Sequence, residues 1–173
     1  MEKVQIIGVD PSLRFTGIAK VTYNTETKKF DKPSCCQVIQ NRTQLKGTDA
    51  ILHMLHEIED LCKEDCYQEF DKAIIESPVM PFNAKFQASS MISVAHITGG
   101  AISLFGSKNV KLYRPSEWNR SKKKEVTHRN VQEFLGHHST WDWRVPARRK
   151  DHIEHVLDAV SMAYYYIQTN IIC

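Results

Sequence analysis

The stretch Val4-Gln5-Ile6-Ile7-Gly8-Val9-Asp10-Pro11-Ser12-Leu13-Arg14-Phe15-Thr16-Gly17-Ile18-Ala19-Lys20-Val21-Thr22-Tyr23 decides how the chain reads. Its opening residues are an apolar run of strand length that ends on a carboxylate, Asp10. A turn from Pro11 to Gly17 follows, and then a second strand-like run from Ile18 to Tyr23. Asp-Pro after a strand also opens ordinary turns. A carboxylate at the tip of a first buried strand, turned straight back into a hairpin, is nevertheless placed to hold a metal ion.

Two further acidic positions fit the same site. Glu76 ends the apolar run Lys72-Ala73-Ile74-Ile75, and a charge at a buried strand end needs a partner. Asp158 lies on a C-terminal helix with His155 one turn before it. On that helix Ile153, Val156, Leu157, Val160, Tyr164 and Ile167 fall on one face, and Asp151, Glu154, His155 and Asp158 on the opposite one. Three carboxylates on elements far apart in sequence point to a divalent-metal nuclease.

Around these residues the elements order themselves. Residues 4–9, 18–24 and 35–40 read as an antiparallel meander, with the polar link from Asn24 to Ser34 as a loop. Apolar spacing from Ile51 to Cys62 predicts a helix from Thr48 to about Cys66, capped by Thr48 or Asp49. A strand over 72–76 is stopped by Pro78 and Pro81. A long helix from about Ala84 to Phe105 is rich in small residues, which suits close packing on a sheet or against a second copy of the chain. Residues 109–113 give a fifth strand. Ser121 is expected to cap a helix that runs to Leu135 and stops at Gly136. Residues 137–149 are irregular, with one of their two Trp sealing the core between the last two helices. The last helix runs from about Lys150 to Gln168. The expected fold class is α/β: a five-stranded mixed sheet, three antiparallel strands and then parallel ones, with helices on both faces.

Composition agrees with a single domain over residues 1–173, at 42% hydrophobic and 25% charged. No apolar stretch approaches the ~20 residues of a membrane span. The opening residues run directly into a strand, so no signal peptide is expected. Five cysteines, none in C-x-x-C spacing, read as reduced thiols of a cytoplasmic protein. Cys62 and Cys66, with His53 and His56 upstream, would suit a structural zinc, but Cys62 belongs to an apolar stripe. The net charge is only +3, yet the basic residues cluster at Lys122-Lys123-Lys124, Arg129, Arg144 and Arg148-Arg149-Lys150. A basic surface around an acidic pocket suits a polyanion held for metal-assisted chemistry.

The chain resembles the RuvC family of Holliday-junction resolvases, within the ribonuclease H-like superfamily. Ile7-Gly8-Val9-Asp10-Pro11-Ser12 with Thr16-Gly17 is similar to the family's first-strand motif, although Ser12 stands where the family usually has Gly. Ala73-Ile74-Ile75-Glu76 matches the second acidic motif. Tyr113-Arg114-Pro115-Ser116 resembles the Tyr-x-Pro segment, and Lys124 falls where a catalytically helpful Lys is expected. His155-Val156-Leu157-Asp158-Ala159 matches the C-terminal Asp-x-x-Asp-Ala motif with His in place of the first Asp. The family often has an aromatic wedge three residues after the second acid. This chain has Val79 there, which leaves Phe82 or Phe86 for the role, with Phe86 reading rather as core.

The resemblance implies a ribonuclease H-like fold and a homodimer that cuts four-way (Holliday) DNA junctions by paired phosphodiester hydrolysis, in DNA recombination and repair. It implies Asp10, Glu76, His155 and Asp158 as ligands of two Mg²⁺ ions about 3.5–4 Å apart, with Mn²⁺ tolerated. Asp10 would bridge the pair. His155 would bind the second ion, position the water or donate to a phosphate, with Asp151 or Glu154 as substitutes for the fourth ligand. Lys124 would assist catalysis, and Arg14, Phe82, Lys122, Lys123, Lys124 and Arg129 would contact DNA, mostly at phosphates. Other readings are a RuvC-like nuclease acting on forks, flaps or RNA, an actin-like kinase, which the missing Gly-rich phosphate loop disfavours, and a junction binder without catalysis.

Overall fold

The computed structural model describes residues 2–41, 44–78, 88–119, 123–144 and 149–172. β1 (Lys3–Asp10) and β2 (Phe15–Asn24) form the expected hairpin, with Val9 opposite Ile18 and Asp10 opposite Gly17. β3 (Lys29–Phe30) and β4 (Ser34–Gln40) pair in turn with the outer edge of β2, both antiparallel. β5 (Lys72–Glu76) lies parallel to β1, and β6 (Val110–Tyr113) parallel to β5. Among the described residues the sheet thus has six strands rather than five. The additional one is the two-residue β3, inside the stretch expected to be a loop. It is held where Phe30 packs on Tyr23 with ring centroids 4.9 Å apart. Because β3 and β4 share one edge, the antiparallel-then-parallel order is as expected.

One face of the sheet carries α1 (Gly47–Cys62), the short α2 (Asp65–Gln68) and α3 (Ala88–Phe105). The other carries the short α4 (Pro115–Trp118), α5 (Lys124–Leu135) and α6 (Lys150–Asn170). Several boundaries differ from those expected. α1 opens on Gly47 at φ +57° after Lys46, with no side-chain cap, so neither Thr48 nor Asp49 caps it. It stops at Cys62, and α2 is a separate turn. α5 begins at Lys124, while Ser121 lies outside the described residues, as do 84–87 at the expected start of α3. Gly136 ends α5 at φ +83°, and Trp141 is buried against Val131, Leu135 and Val156, both as anticipated.

The period-two alternation of strands explains what the sheet shows to each layer. Ile7, Val9, Ile18, Ala73 and Ile75 pack towards α1 and α3. Val4, Ile6, Ala19, Val21 and Ile74 pack towards α5 and α6. Gly8, Asp10, Gly17 and Glu76 share the parity of this second set and therefore belong to the α6 face. A Cβ on Gly8 would stand 1.9 Å from the Ala159 carbonyl oxygen, and one on Gly17 would stand 2.3 Å from the His155 backbone. The two glycines let α6 lie directly on the hairpin that carries Asp10.

α6 differs from an amphipathic surface helix. Every residue from Val156 to Ala163 is buried, Asp158 included. The sheet covers one side and α5 the other, so the face that carries His155 and Asp158 is enclosed over its central turn.

Candidate active site

Asp10 and Glu76 close adjacent parallel strands, with Val9 in register with Ile75. Their side chains therefore emerge side by side, about 4.8 Å apart by strand spacing, at the carboxyl ends of the strands, where open α/β sheets place ligands. α6 brings His155 and Asp158 over this edge. His155 Nδ1 lies 2.5 Å from Asp10 Oδ2. From α5, Lys124 Nζ is ion-paired with Asp158 Oδ2, and His128 Nε2 lies 2.7 Å from Asp158 Oδ1. From α4, Trp118 Nε1 donates to Glu76 Oε1 at 3.3 Å.

The electrostatics record the crowding. Burial first, then the charge of Asp10 and a hydrogen bond with it, then Asp158, push the Glu76 carboxyl up to about 9, with Lys124 pulling the other way. Burial works against the His155 imidazolium, but the hydrogen bond and charge of Asp10 outweigh it, and the net direction is upward. Lys124, half exposed, is shifted the same way, its partial desolvation outweighed by Asp158.

This donor set suits a hard divalent cation: carboxylate oxygens from three rigid elements, one of them pushed towards its protonated form by burial and by Asp10. Among the described residues no three His, Cys, Asp or Glu stand as a ready ligand cage. Basic groups engage the acids instead, Lys124 and His128 at Asp158 and His155 at Asp10. Asp10, Glu76 and Asp158, with His155, are the residues that would hold such an ion.

The other anticipated residues are more dispersed. Asp151 is clasped by Arg149 at 3.0 and 2.8 Å, and Glu154 lies 3.7 Å from Lys150, so of the three candidates for the fourth position only His155 reaches Asp10. Arg14 is exposed in the turn after Asp10 and borders a groove of about 450 Å³ with Phe15, Lys46 and Arg149. Lys123 is exposed at the start of α5. Arg129 lines the cleft between α5 and α6 with Arg149 and Lys150, 4.0 Å from Glu133. Phe82 and Lys122 lie outside the described residues, as do Val79 and Phe86. Burial pushes the Cys62 thiol up to about 11 and the Cys66 thiol up to about 12, which disfavours the thiolates a zinc site needs.

Two residues that sequence reasoning passed over belong to the site. His128 stands four residues after Lys124, hence on the same side of α5, and that spacing was its available signal. Trp118 closes the short α4 and had none beyond its position between Tyr113 and Lys124.

No family model and no curated protein matches the sequence. Solved structures do match its fold. RuvC of Thermus thermophilus, solved in complex with a Holliday junction substrate, aligns with a TM-score of 0.68 at 15% identity, over 96% of this chain and 97% of that one. The yeast mitochondrial Holliday junction resolvase gives 0.64 at 10% identity, over 95% and 78%. The fowlpox virus Holliday junction resolvase gives 0.56 at 13% identity, over 96% and 99%. The described residues have a RuvC-type, ribonuclease H-like α/β fold, matched over nearly the whole length of the chain.

Proposed function

We propose that this chain is a divalent-metal-dependent endonuclease that resolves four-way DNA junctions by paired phosphodiester hydrolysis, acting as a homodimer. One observation carries the reading: Asp10, Glu76 and Asp158 converge from the first strand, the fifth strand and the last helix, with His155 and Lys124 beside them. They do so on a fold that junction resolvases share over nearly their full length.

Asp10, Glu76 and Asp158 would hold a pair of Mg²⁺ ions, or Mn²⁺ in their place, which would supply an activated water and charge stabilisation at the departing 3′ oxygen. The protein's own groups do the rest. Asp10, on the rigid end of β1, would be the ligand the two ions share. His155 holds a proton against Asp10 and can present it to a phosphate oxygen when the site fills. Lys124, released from Asp158, is placed to offset negative charge on the phosphate. Arg14, Lys123 and Arg129 offer exposed cations for backbone phosphates, giving affinity that falls with salt and carries no sequence information.

The homodimer reading draws on α3, whose exposed Ile92, Ala95 and Gly99 form a close-approach stripe at helical spacing. Ile92→Glu is expected to yield a monomer in sedimentation, and with it single nicks instead of paired cuts.

The test is a nicking assay on a mobile-core four-way junction with Mg²⁺, with Mn²⁺ and with chelator, alongside fork, flap and RNA–DNA hybrid substrates. Asp10→Asn, Glu76→Gln and Asp158→Asn should each lower cutting by at least about 100-fold while junction binding stays near normal or tightens. Substantial activity in any of the three refutes the assignment, and preferential cutting of forks or hybrids redirects the substrate.

A further inference from the structure

A cavity of about 300 Å³ opens beside the carboxylates, between α4, α5 and the C-terminal half of α6. Trp118 joins the two sites, since it lines the cavity while its Nε1 donates to Glu76. The cavity has three properties that together define a ligand chemistry. First, Phe134 stands at its rim, 68% exposed, stacked on Tyr164 with centroids 5.8 Å apart and planes at 26°. An aromatic face held open to solvent by a second ring is a stacking platform. Second, the Ser161 hydroxyl, on a residue only 1% exposed, lines the cavity with no hydrogen-bond partner among the described residues, and so does Thr127 Oγ1. Buried hydroxyls left unpaired are costly, and a ligand with polar edges would satisfy them. Third, every lining residue among the described residues is neutral, with the amide of Asn130 among them. That turns the site away from phosphates and metal ions, and an aliphatic ligand would leave the hydroxyls unpaired.

A flat ring with a polar edge meets all three conditions. We propose that this cavity receives one unpaired nucleobase of the branched DNA held at the active site, and thereby sets the sequence preference of cutting. The source of the base rests on the nuclease reading; the chemistry of the cavity does not. Bases at a branch point are the cheapest to take out of the stack, and enzymes that read such bases combine an aromatic face with hydrogen bonds to the base edge.

Two measurements test this together. Saturation-transfer NMR with the four deoxynucleoside monophosphates is expected to show contact at base protons of at least one, and to lose it in Phe134→Ala. Cutting of four-way junctions carrying each base at each position flanking the branch point is expected to show a preference. Phe134→Ala and Ser161→Ala should flatten that preference by roughly 5- to 100-fold, the worth of one base stack or less. Ser161→Ala separates this role from a structural one, because removing an unpaired buried hydroxyl should leave thermal stability unchanged or higher. Absence of base contact in the NMR overturns the proposal, as does a cutting preference that is absent or the same in both variants. If the wild type cuts no branched DNA while the Phe134-dependent base contact is present, the nuclease reading fails and the cavity's assignment stands.

Discussion

Glycines mark the closest approaches on both faces of the sheet, but they meet different things. On the α6 face, a Cβ at Gly8 or Gly17 would strike backbone atoms of Ala159 or His155, which can move only if the helix moves. On the α1–α3 face, a Cβ at Gly100 would meet the tip of the Leu55 side chain at 2.3 Å. Leu55 is half-buried and can turn to another rotamer. One face is therefore built to fix position, the other to fill volume. The side chains proposed to be functional follow that division: Asp10 and Glu76 point to the face where α6 cannot shift, and α6 carries His155 and Asp158.

The sharpest way to break this contrast is to add a methyl on the α6 face. Gly8→Ala and Gly17→Ala should each cost about 1–3 kcal/mol or more, read as a lowered denaturation midpoint. Cutting should fall further than stability alone explains, because displacing α6 moves His155 and Asp158 relative to Asp10. Normal turnover in a folded Gly17→Ala variant would show that the close contact does not position the site.

Much of this was legible before any coordinates, and the reasons are local. The run from Val4 to Tyr23 declares a hairpin because an apolar strand, a turn with Pro and Gly, and a second apolar strand leave few other solutions. Glu76 was readable because a carboxylate at the end of Ala73-Ile74-Ile75 has no reason to be there without partners. His128 offered only its spacing four residues after Lys124; that it meets Asp158 depends on α5 crossing α6, a tertiary fact with no periodic signature. The burial of α6 on all sides was hidden in the same way: a helix between a sheet and a second helix can keep an acid on its inner turn if basic groups meet it there. β3 escaped notice because two residues carry no alternation to read.

Acidity gives the next test, and its sign is fixed by the crowding. Glu76 is raised from 4.5 to about 9, so between those values the folded chain keeps a proton that the unfolded chain has released. Its contribution to stability is fully present below about pH 4.5 and is lost as pH climbs towards 9. His155, raised above 6.5 by Asp10, adds a loss of the same sign in the upper part of that range. Thermal melts in chelator should therefore decline from pH 5 to pH 9. Added Mg²⁺ should raise the melting temperature most at the alkaline end, with proton release on binding measurable by calorimetry in buffers of different ionisation enthalpy. A chelator series that is flat or rising would mean that Glu76 is not crowded by Asp10.

His128 tests the same face more gently. Its ring N–H reaches a carboxylate that is only 2% exposed, and Lys124 alone is left to compensate if it goes. His128→Ala should cost about 1.5–3 kcal/mol, the range for hydrogen bonds to charged groups. His128→Gln should recover part of that loss. A neutral His128→Ala would mean that Lys124 suffices and that Asp158 needs one partner, not two.

The smallest effects belong to the volume-filling face, and they can run in the opposite direction. Gly100→Ala trades a turned Leu55 against better helix propensity, so the two terms should nearly cancel. Gly99 is exposed in mid-helix, and nothing stands within 4 Å of where its Cβ would be. Gly99→Ala should therefore stabilise the folded chain by about 0.5–1 kcal/mol, read from urea denaturation. If α3 is also where two copies meet, the added methyl should weaken their association in sedimentation at the same time. A stabilised fold with weakened pairing would assign the glycine to close contact between copies. A stabilised fold with unchanged pairing would place the dimer contact on another surface and leave Gly99 as an ordinary exposed helix glycine.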